Sequence, residues 1–503
     1  MSAGEILDAS TLGDAALSAD AVVIGTGAGG SIAFRELARA GLEVIALEEG
    51  GHHTSADFNQ REEEMLALLF QERGGRMTDD LAIRVLQGRG VGGSTVHNTN
   101  LCKRIPEEIL DAWARDHGVV GCTARDLEPA FAQIERELSV GDIPPGMRNK
   151  NNEALRRGVE ALGWRGAPLQ HNRKGCIGSG FCELGCAYDA KQNALKVVVP
   201  EGVRLGGRVV TSARATRVEF ASGRVVGVRA VSSTGTIRIR AKVVVVAASA
   251  TGSAALLRAS GVVGEGTGRG LRLHPGAVVA GVFDAPIDAH HGIPQSYECT
   301  EHLSFDRGST RRVWITTAFA HPIGTAAMLP GFGASHMSAM RRYRHLAVLT
   351  AMVHDESEGE VDVGPEGRPR IRYTMRSSDC LQLGRGLAAA ARILIAAGAR
   401  EVTVPGTRPL TVRSYAELDR ADFSFVRPHG VPITSVHPMG SLRMGEDPRR
   451  SVVRSTGEHH HVRGLFVADG SLFPTSIGGP PQIGIYSLAL HLAPHIVARA
   501  RGG

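Results

Sequence analysis

Residues 19–51 read ADAVVIGTGAGGSIAFRELARAGLEVIALEEGG. Four apolar residues, Ala21 to Ile24, lead into a glycine turn. An amphipathic stretch follows, then a second apolar run from Glu43 to Leu47 that ends in an acid. Two continuous apolar runs flanking a segment of helical period predict strand, helix, strand, with both strands buried in a parallel sheet. Gly25, Gly27 and Gly30 fit GxGxxG. The first permits a tight turn, the second lets a pyrophosphate approach the backbone, and the third lets the helix lie close on the strand. The helix N-terminus adds free amide donors and partial positive charge. Glu48, 23 residues after Gly25 by count, stands where an acid accepts hydrogen bonds from a ribose diol. The unit predicts an α/β chain with a Rossmann-type dinucleotide site, without separating a flavin from a nicotinamide dinucleotide.

At 503 residues the chain has room for two or more domains. Hydrophobic residues at 43% and charged residues at 21% are ordinary globular values, whereas 63 glycines predict many turns. The formal charge of +6 is spread among acids and forms no basic arm, so nucleic acid is not an expected partner. The first residues lack a basic segment followed by an apolar run, and no apolar stretch of about 18 residues occurs, so no membrane span and a cytoplasmic location are expected. Seven irregularly spaced cysteines do not make a disulfide framework.

Three further stretches carry a family resemblance. GRGVGGSTVHN, residues 88–98, resembles a signature close to G-R-x-x-G-G-S-S-x-x-N, met by Gly88, Arg89, Gly92, Gly93, Ser94 and Asn98, with Thr95 a mild change. VVVVAASATGSAALLRASGV, residues 243–262, is a partial match to a second signature, departing at Ala254 and, just beyond, at Val263. HPMGSLRMGEDP at 437–448 and GLFVADGSLFPTSIGGPPQIGIYSLALHLAPHI at 464–496 match most closely. Together they resemble the GMC (glucose-methanol-choline) flavin oxidoreductases from about residue 20 to 497. The resemblance implies FAD, a Rossmann-type FAD-binding domain built from residues 15–110, 195–275 and 430–503, and a mixed-sheet substrate domain from 111–194 and 276–429. It also implies an adenine contact near Ala215, flavin contacts at Asp469 and Gly470, and the start of the last helix, Pro481 and Gln482, facing the flavin.

An alcohol oxidised by hydride transfer to flavin N5 must also lose its hydroxyl proton, which suits a base of near-neutral pKa. His437 matches the family's active-site histidine, and a histidine before proline in a loop has no helix or strand face to explain it as packing. The family's second position, His or Asn, is Pro480 here, which has no side-chain donor or acceptor. Asn98, Asn100 and Gln482 are candidates for the missing substrate contact. Alternatively the scaffold hosts a non-redox, lyase-type or otherwise atypical reaction, a flavin-binding protein without turnover, or, least in keeping with the later motifs, a nicotinamide dehydrogenase.

His97 stands where some family members bond the flavin covalently; a loop histidine that merely packs beside FAD fits the same residues. Cys176, Ser179, Cys182 and Cys186 reproduce the C-x2-C-x2-C-x3-C spacing of an iron-sulfur site with one thiolate missing, so a small-residue loop with a disulfide or free thiols is the simpler reading. His52, His53 and His459 to His461 lack acids or cysteines at ligand spacing, and no metal is expected. Between 275 and 430, alternating stretches such as RRVWITTAF predict a half-buried antiparallel sheet, followed by a helix over SSDCLQLGRGLAAAARILIAAGA. With three Trp and six Tyr there is no evident sugar-stacking platform or cage for a quaternary amine. A neutral, moderately hydrophobic small-molecule alcohol is the expected substrate, with oxygen or another electron acceptor reoxidising the flavin.

Overall fold

The two apolar runs become strands Ala21–Ile24 and Val44–Leu47, paired in parallel and buried at every position. In the computed structural model, which describes residues 4–262 and 264–502, they lie inside a six-stranded parallel sheet. Val263 lies outside the described residues. Across the sheet the strands run Ile6–Asp8, Arg208–Thr211, Val44–Leu47, Ala21–Ile24, Val243–Val246, Leu465–Val467. The chain builds outward in one direction from Ala21–Ile24 and then returns to add Val243–Val246 on its other side. Such a reversal opens a crevice beyond the carboxyl ends of the two strands, where doubly wound sheets bind ligands.

Helix Ala28–Arg39 covers this sheet beside the C-terminal helix Gln482–Gly502. The glycine roles are visible in the geometry. Gly25 has φ +96°, a conformation L side chains rarely adopt. A Cβ on Gly30 would stand 2.0 Å from the Gly25 carbonyl oxygen, so the helix sits on the strand only because that atom is absent. Gly27 is different: a Cβ there would meet nothing within 4 Å.

The predicted hairpin is present as Arg214–Ala221 and Arg224–Val231, closed by Ser222 (φ 49°) and Gly223 (φ 73°). Two successive residues of positive φ match the twist of the strands they join. The alternating stretches farther on form a nine-stranded, mostly antiparallel sheet containing Gly276–Val282, Val313–Thr317 and Leu346–Val353, and helix Ser377–Ala396 packs on it. Ile83–Val85 and Ile433–Ser435 pair in parallel and join this sheet through Thr434 and Gly276, although both fall in segments read as cofactor-binding. They carry the chain from one layer to the other, immediately before the 88–98 loop and His437.

These contacts separate two glycine substitutions. Gly30→Ala should lower stability by about 1–3 kcal/mol or more, because backbone must move. Gly27→Ala should leave it within about 0.5 kcal/mol while weakening dinucleotide uptake. Urea midpoints of the two variants, with and without added FAD, check both expectations.

Candidate active site

A cavity of about 580 Å³ opens at the carboxyl ends of strands Ala21–Ile24 and Val243–Val246. Gly25, Gly27, Ala28 and Gly29 line it, and helix Ala28–Arg39 has no side-chain cap, so the amides of its first turn have no competing side chain. An anion in the cavity is their natural partner. Glu48 lines the same cavity. Its Oε2 accepts from the Thr26 amide (3.2 Å) and hydroxyl (2.8 Å), and its Oε1 from the amides of Gly50 and Gly90 (3.1 Å each). Burial raises its pKa, and the amides of Gly50 and Gly90 and the Thr26 hydroxyl act in the opposite sense. Ala215 lies beside it on the wall, the neighbouring Ala213 amide donating to the Glu48 carbonyl at 2.9 Å.

The 88–98 loop contributes Gly93, Ser94, His97 and Asn98 to the wall. Gly92, at φ +92°, lies behind it and donates its amide to the Thr26 hydroxyl at 3.2 Å. Arg89 is off the cavity, half-exposed beside Glu49 at 3.5 Å. Asp469 accepts from the Ser253 hydroxyl at 2.5 Å and the Ser471 amide at 2.8 Å, tying helix Ser249–Ala259 to the wall formed with Gly470. The C-terminal helix begins at Gln482, with the Ile485 amide bonded to the Pro481 carbonyl at 2.9 Å, so Pro481 caps the helix instead of occupying its first turn. Pro480, Pro481 and Gln482 all line the cavity. Two helix starts, a buried acid and a glycine-lined wall form one continuous cradle, and they fit an extended flavin dinucleotide.

His437 follows strand Ile433–Ser435 and lines the cavity with Trp314, Met352 and Thr434. Its Nδ1 lies 2.9 Å from Nδ1 of His274, which is fully buried. Its Nε2 has no hydrogen-bond partner among the described residues. Burial depresses the His437 pKa to about 3, below the near-neutral value expected from the sequence, because an apolar wall cannot solvate an imidazolium. The free imidazole is therefore neutral. His274 was missed from sequence; the His-Pro dipeptide it shares with His437 also occurs at 321–322 and does not single it out.

The candidates for a second substrate contact are otherwise engaged. Gln482 donates to the Leu101 carbonyl at 2.6 Å and accepts from Asn98 Nδ2 at 2.8 Å. Asn98 Oδ1 accepts from the Asn100 amide at 3.1 Å. Asn100 does not line the large cavity. It borders a separate small one, its amide 3.8 Å from Cys182 Sγ. These amides tie the 88–98 loop to the last helix. Gln295 and Thr99, unforeseen from sequence, are on the large cavity's wall and hydrogen-bonded to each other.

His97 is buried, its ring centroid 4.0 Å from that of Phe70, with Nε2 unpartnered. Burial, then the nearby Lys191 ammonium, lowers its pKa to about 3. Lys191 donates to the carbonyls of Val96 (2.8 Å), Asn98 (2.5 Å) and Cys182 (2.8 Å), and burial brings its own pKa down to about 8. The cysteine-bearing segment thus braces the loop around His97. All seven cysteines are free thiols, and among the described residues no group of three or more His, Cys, Asp or Glu could hold a metal. His459 Nδ1 accepts from the amides of His461 and Val462 at 3.1 Å, a loop-anchoring role.

The cradle and cavity-lining histidine define a flavin-dependent oxidoreductase, and the comparisons agree. Residues 47–276 and 355–489 match the two models of the GMC oxidoreductase family. An uncharacterized GMC-type oxidoreductase of Mycobacterium tuberculosis is 34% identical over 491 residues, covering 96% of this chain and 76% of that protein. A long-chain-alcohol oxidase of Arabidopsis thaliana is 28% identical over 507 residues, covering 96% and 69%. The crystal structure of pyridoxine 4-oxidase from Mesorbium loti shares the fold with a TM-score of 0.71 and 20% identity, covering 95% of this chain and 98% of that one. The chain belongs to the GMC oxidoreductases, a family whose members bind FAD. No helix among the described residues is long and apolar enough to cross a membrane.

The buried and partly buried histidines make acid stability a test of this packing. His97, His171 and His437 have pKa values near 3, and His321 and His354 near 4, against 6.5 when unfolded. The unfolded chain binds these protons first, so stability is full above pH 6.5 and falls as pH drops towards 3. Each such histidine contributes up to about 1.4 kcal/mol per pH unit in that window. Denaturant midpoints should be lower at about pH 5.5 than at about pH 7.5; equal midpoints would mean that the imidazoles are solvated.

Proposed function

We propose that this flavin oxidoreductase oxidises a neutral, apolar alcohol to a carbonyl, with His437 as the proton acceptor. The observation that carries the reading is the unpartnered Nε2 of His437 on a cavity wall that includes Ala277, Val278, Phe319, Met328 and Met352, with neutral polar side chains such as Thr350, Thr434 and Gln295 among them. An alcohol entering there meets one basic nitrogen and a surface that favours hydrocarbon over hydroxyl-rich substrates. The similarity to a long-chain-alcohol oxidase supports the same substrate class. Bound FAD supplies the acceptor for the α-hydride, with oxygen or a second acceptor closing the cycle.

The chain's own part is positional and electrostatic. The first-turn amides of helix Ala28–Arg39 and Gly27 hold the diphosphate, and Glu48 takes the ribose hydroxyls. The start of helix Gln482–Gly502 offers its positive end to negative charge that develops on the ring. Pro480 donates nothing, so His437 holds the substrate oxygen without help from that position, accepting its proton at Nε2. Residues 15–110, 195–275 and 430–503 serve cofactor binding, with 111–194 and 276–429 shaping the substrate side, apart from the bridging strands described above.

Anaerobic mixing with a panel of alcohols tests the reading. Aliphatic and aryl-alkyl alcohols should bleach the flavin, and choline and hexoses should not. His437→Ala should keep the yellow spectrum and slow bleaching by about 100-fold or more. Absence of bleaching by any alcohol would favour the non-redox alternative that Pro480 raises. The unpartnered, neutral Nε2 of His97 is also a competent nucleophile if the flavin ring lies against it. On that reading acid precipitation leaves the colour in the pellet, and His97→Ala moves it to the supernatant.

A further inference from the structure

We propose that His274 is the positioning residue for His437, accepting a hydrogen bond from its Nδ1–H and so fixing the tautomer that turns a bare Nε2 to the cavity. The inference rests on the reading of His437 as the proton acceptor.

Two Nδ1 atoms 2.9 Å apart, on rings inclined by 22°, share one proton. If His274 carries it, the neutral His437 must hold its own proton at Nε2, where it can donate to an alcohol but cannot receive from one. If His437 carries it, Nε2 is a lone pair facing the substrate. Only the second arrangement permits the proposed reaction. In it the hydroxyl O–H bond breaks and an Nε2–H bond forms, while the Nδ1–H remains on His437 and points at a neutral acceptor. The carbon's hydrogen and its electron pair leave together to the bound acceptor. His274 would then stabilise the imidazolium as it forms, in a site too dry to do so otherwise.

The fold holds His274 in this position against local preference. The residue before a proline favours extended backbone, yet His274, before Pro275, has φ 49°. Such a conformation persists only when its surroundings over-determine it. The Asp355 carboxylate does so by accepting from the amides of Leu273 (3.0 Å) and His274 (3.2 Å), and it accepts in turn from the Tyr373 hydroxyl at 2.5 Å. On its other side the His274 ring lies nearly parallel to Trp314, which donates to Glu298 at 2.5 Å, itself paired with Lys103 at 2.6 Å. The His274 Nε2 is buried without a partner. In the proposed tautomer that atom bears an unpaired N–H, which is destabilising. A strained backbone and a buried ring nitrogen without a partner, both accompanying one contact to His437, mark a residue kept for the reaction and not for stability.

The test combines nitrogen NMR of the 15N-histidine-labelled holoenzyme with kinetics of variants. The His437 signals, identified by their loss in His437→Gln, should show Nδ1 protonated and Nε2 unprotonated. His274→Phe should lower kcat by about 10- to 100-fold with KM within about twofold and the flavin spectrum unchanged, since the loss concerns only the transition state. His274→Asn, which returns an acceptor near the Nδ1 position, should recover kcat to within about fivefold of wild type. A proton on Nε2 of His437, or wild-type kcat in His274→Phe, would overturn the proposal. If the Phe variant does not fold, the wild-type NMR result decides alone. Wild-type turnover by His437→Ala would instead overturn the reading on which the inference rests. A His437→Ala slowed about 100-fold or more beside a fully active His274→Phe would overturn the inference only.

Discussion

The buried carboxylate of Glu48 is the constraint on which the rest depends. It sits at the end of strand Val44–Leu47 and accepts from Thr26 in the first glycine turn, from Gly50, and from Gly90 in the 88–98 loop. Segments far apart in sequence therefore meet at one charge. Burial works against that charge, and the surrounding donors favour it. Once they are satisfied, the glycine turn and the 88–98 loop are held against each other: Gly92 reaches the Thr26 hydroxyl, and a Cβ on Gly93 would lie 3.0 Å from Gly27 Cα. The cradle is the space that this arrangement leaves.

From there order is handed along by polar ties. Lys191 braces the carbonyls on either side of His97, and Asn98 and Gln482 lock the same loop to the start of the last helix. The cavity's lining thereby combines the glycine turn and Glu48 with apolar residues such as Met328 and Met352. His437 lines the same cavity and is backed by His274. Pro480 leads the chain into a helix whose N-terminal end faces the cavity, and it presents no side-chain donor or acceptor there.

Much of this was legible in the residues, because some constraints are local. Four-residue apolar runs, a GxGxxG turn and an acid at the next strand end specify the parallel core, and Ser222–Gly223 specifies a hairpin. Gly27, Glu48, Ser94, His97, Asn98, Asp469, Gln482 and His437 all line one cavity. Arg89, Gly92 and Asn100 do not, since loop signatures record which residues belong to a loop but not which way each faces, and Gly30 packs the helix on the strand instead. His274, Lys191 and Gln295 escaped notice for a related reason. Their roles depend on contacts across 163, 95 and 196 positions, respectively, and no spacing rule reports such pairings. The depressed pKa of His437 is likewise a property of the assembled wall.

The proposed function requires a single FAD lying along the cradle with its reactive ring beside His437. A crystal structure of the purified yellow protein decides this. Density is expected for the diphosphate at the amides of Gly27 and Ala28, for the ribose hydroxyls at Glu48, and for the ring between His437 and the Asn98–Gln482 pair. A flavin bound with its ring remote from His437, or a cradle that stays empty in FAD-saturated crystals, would contradict it.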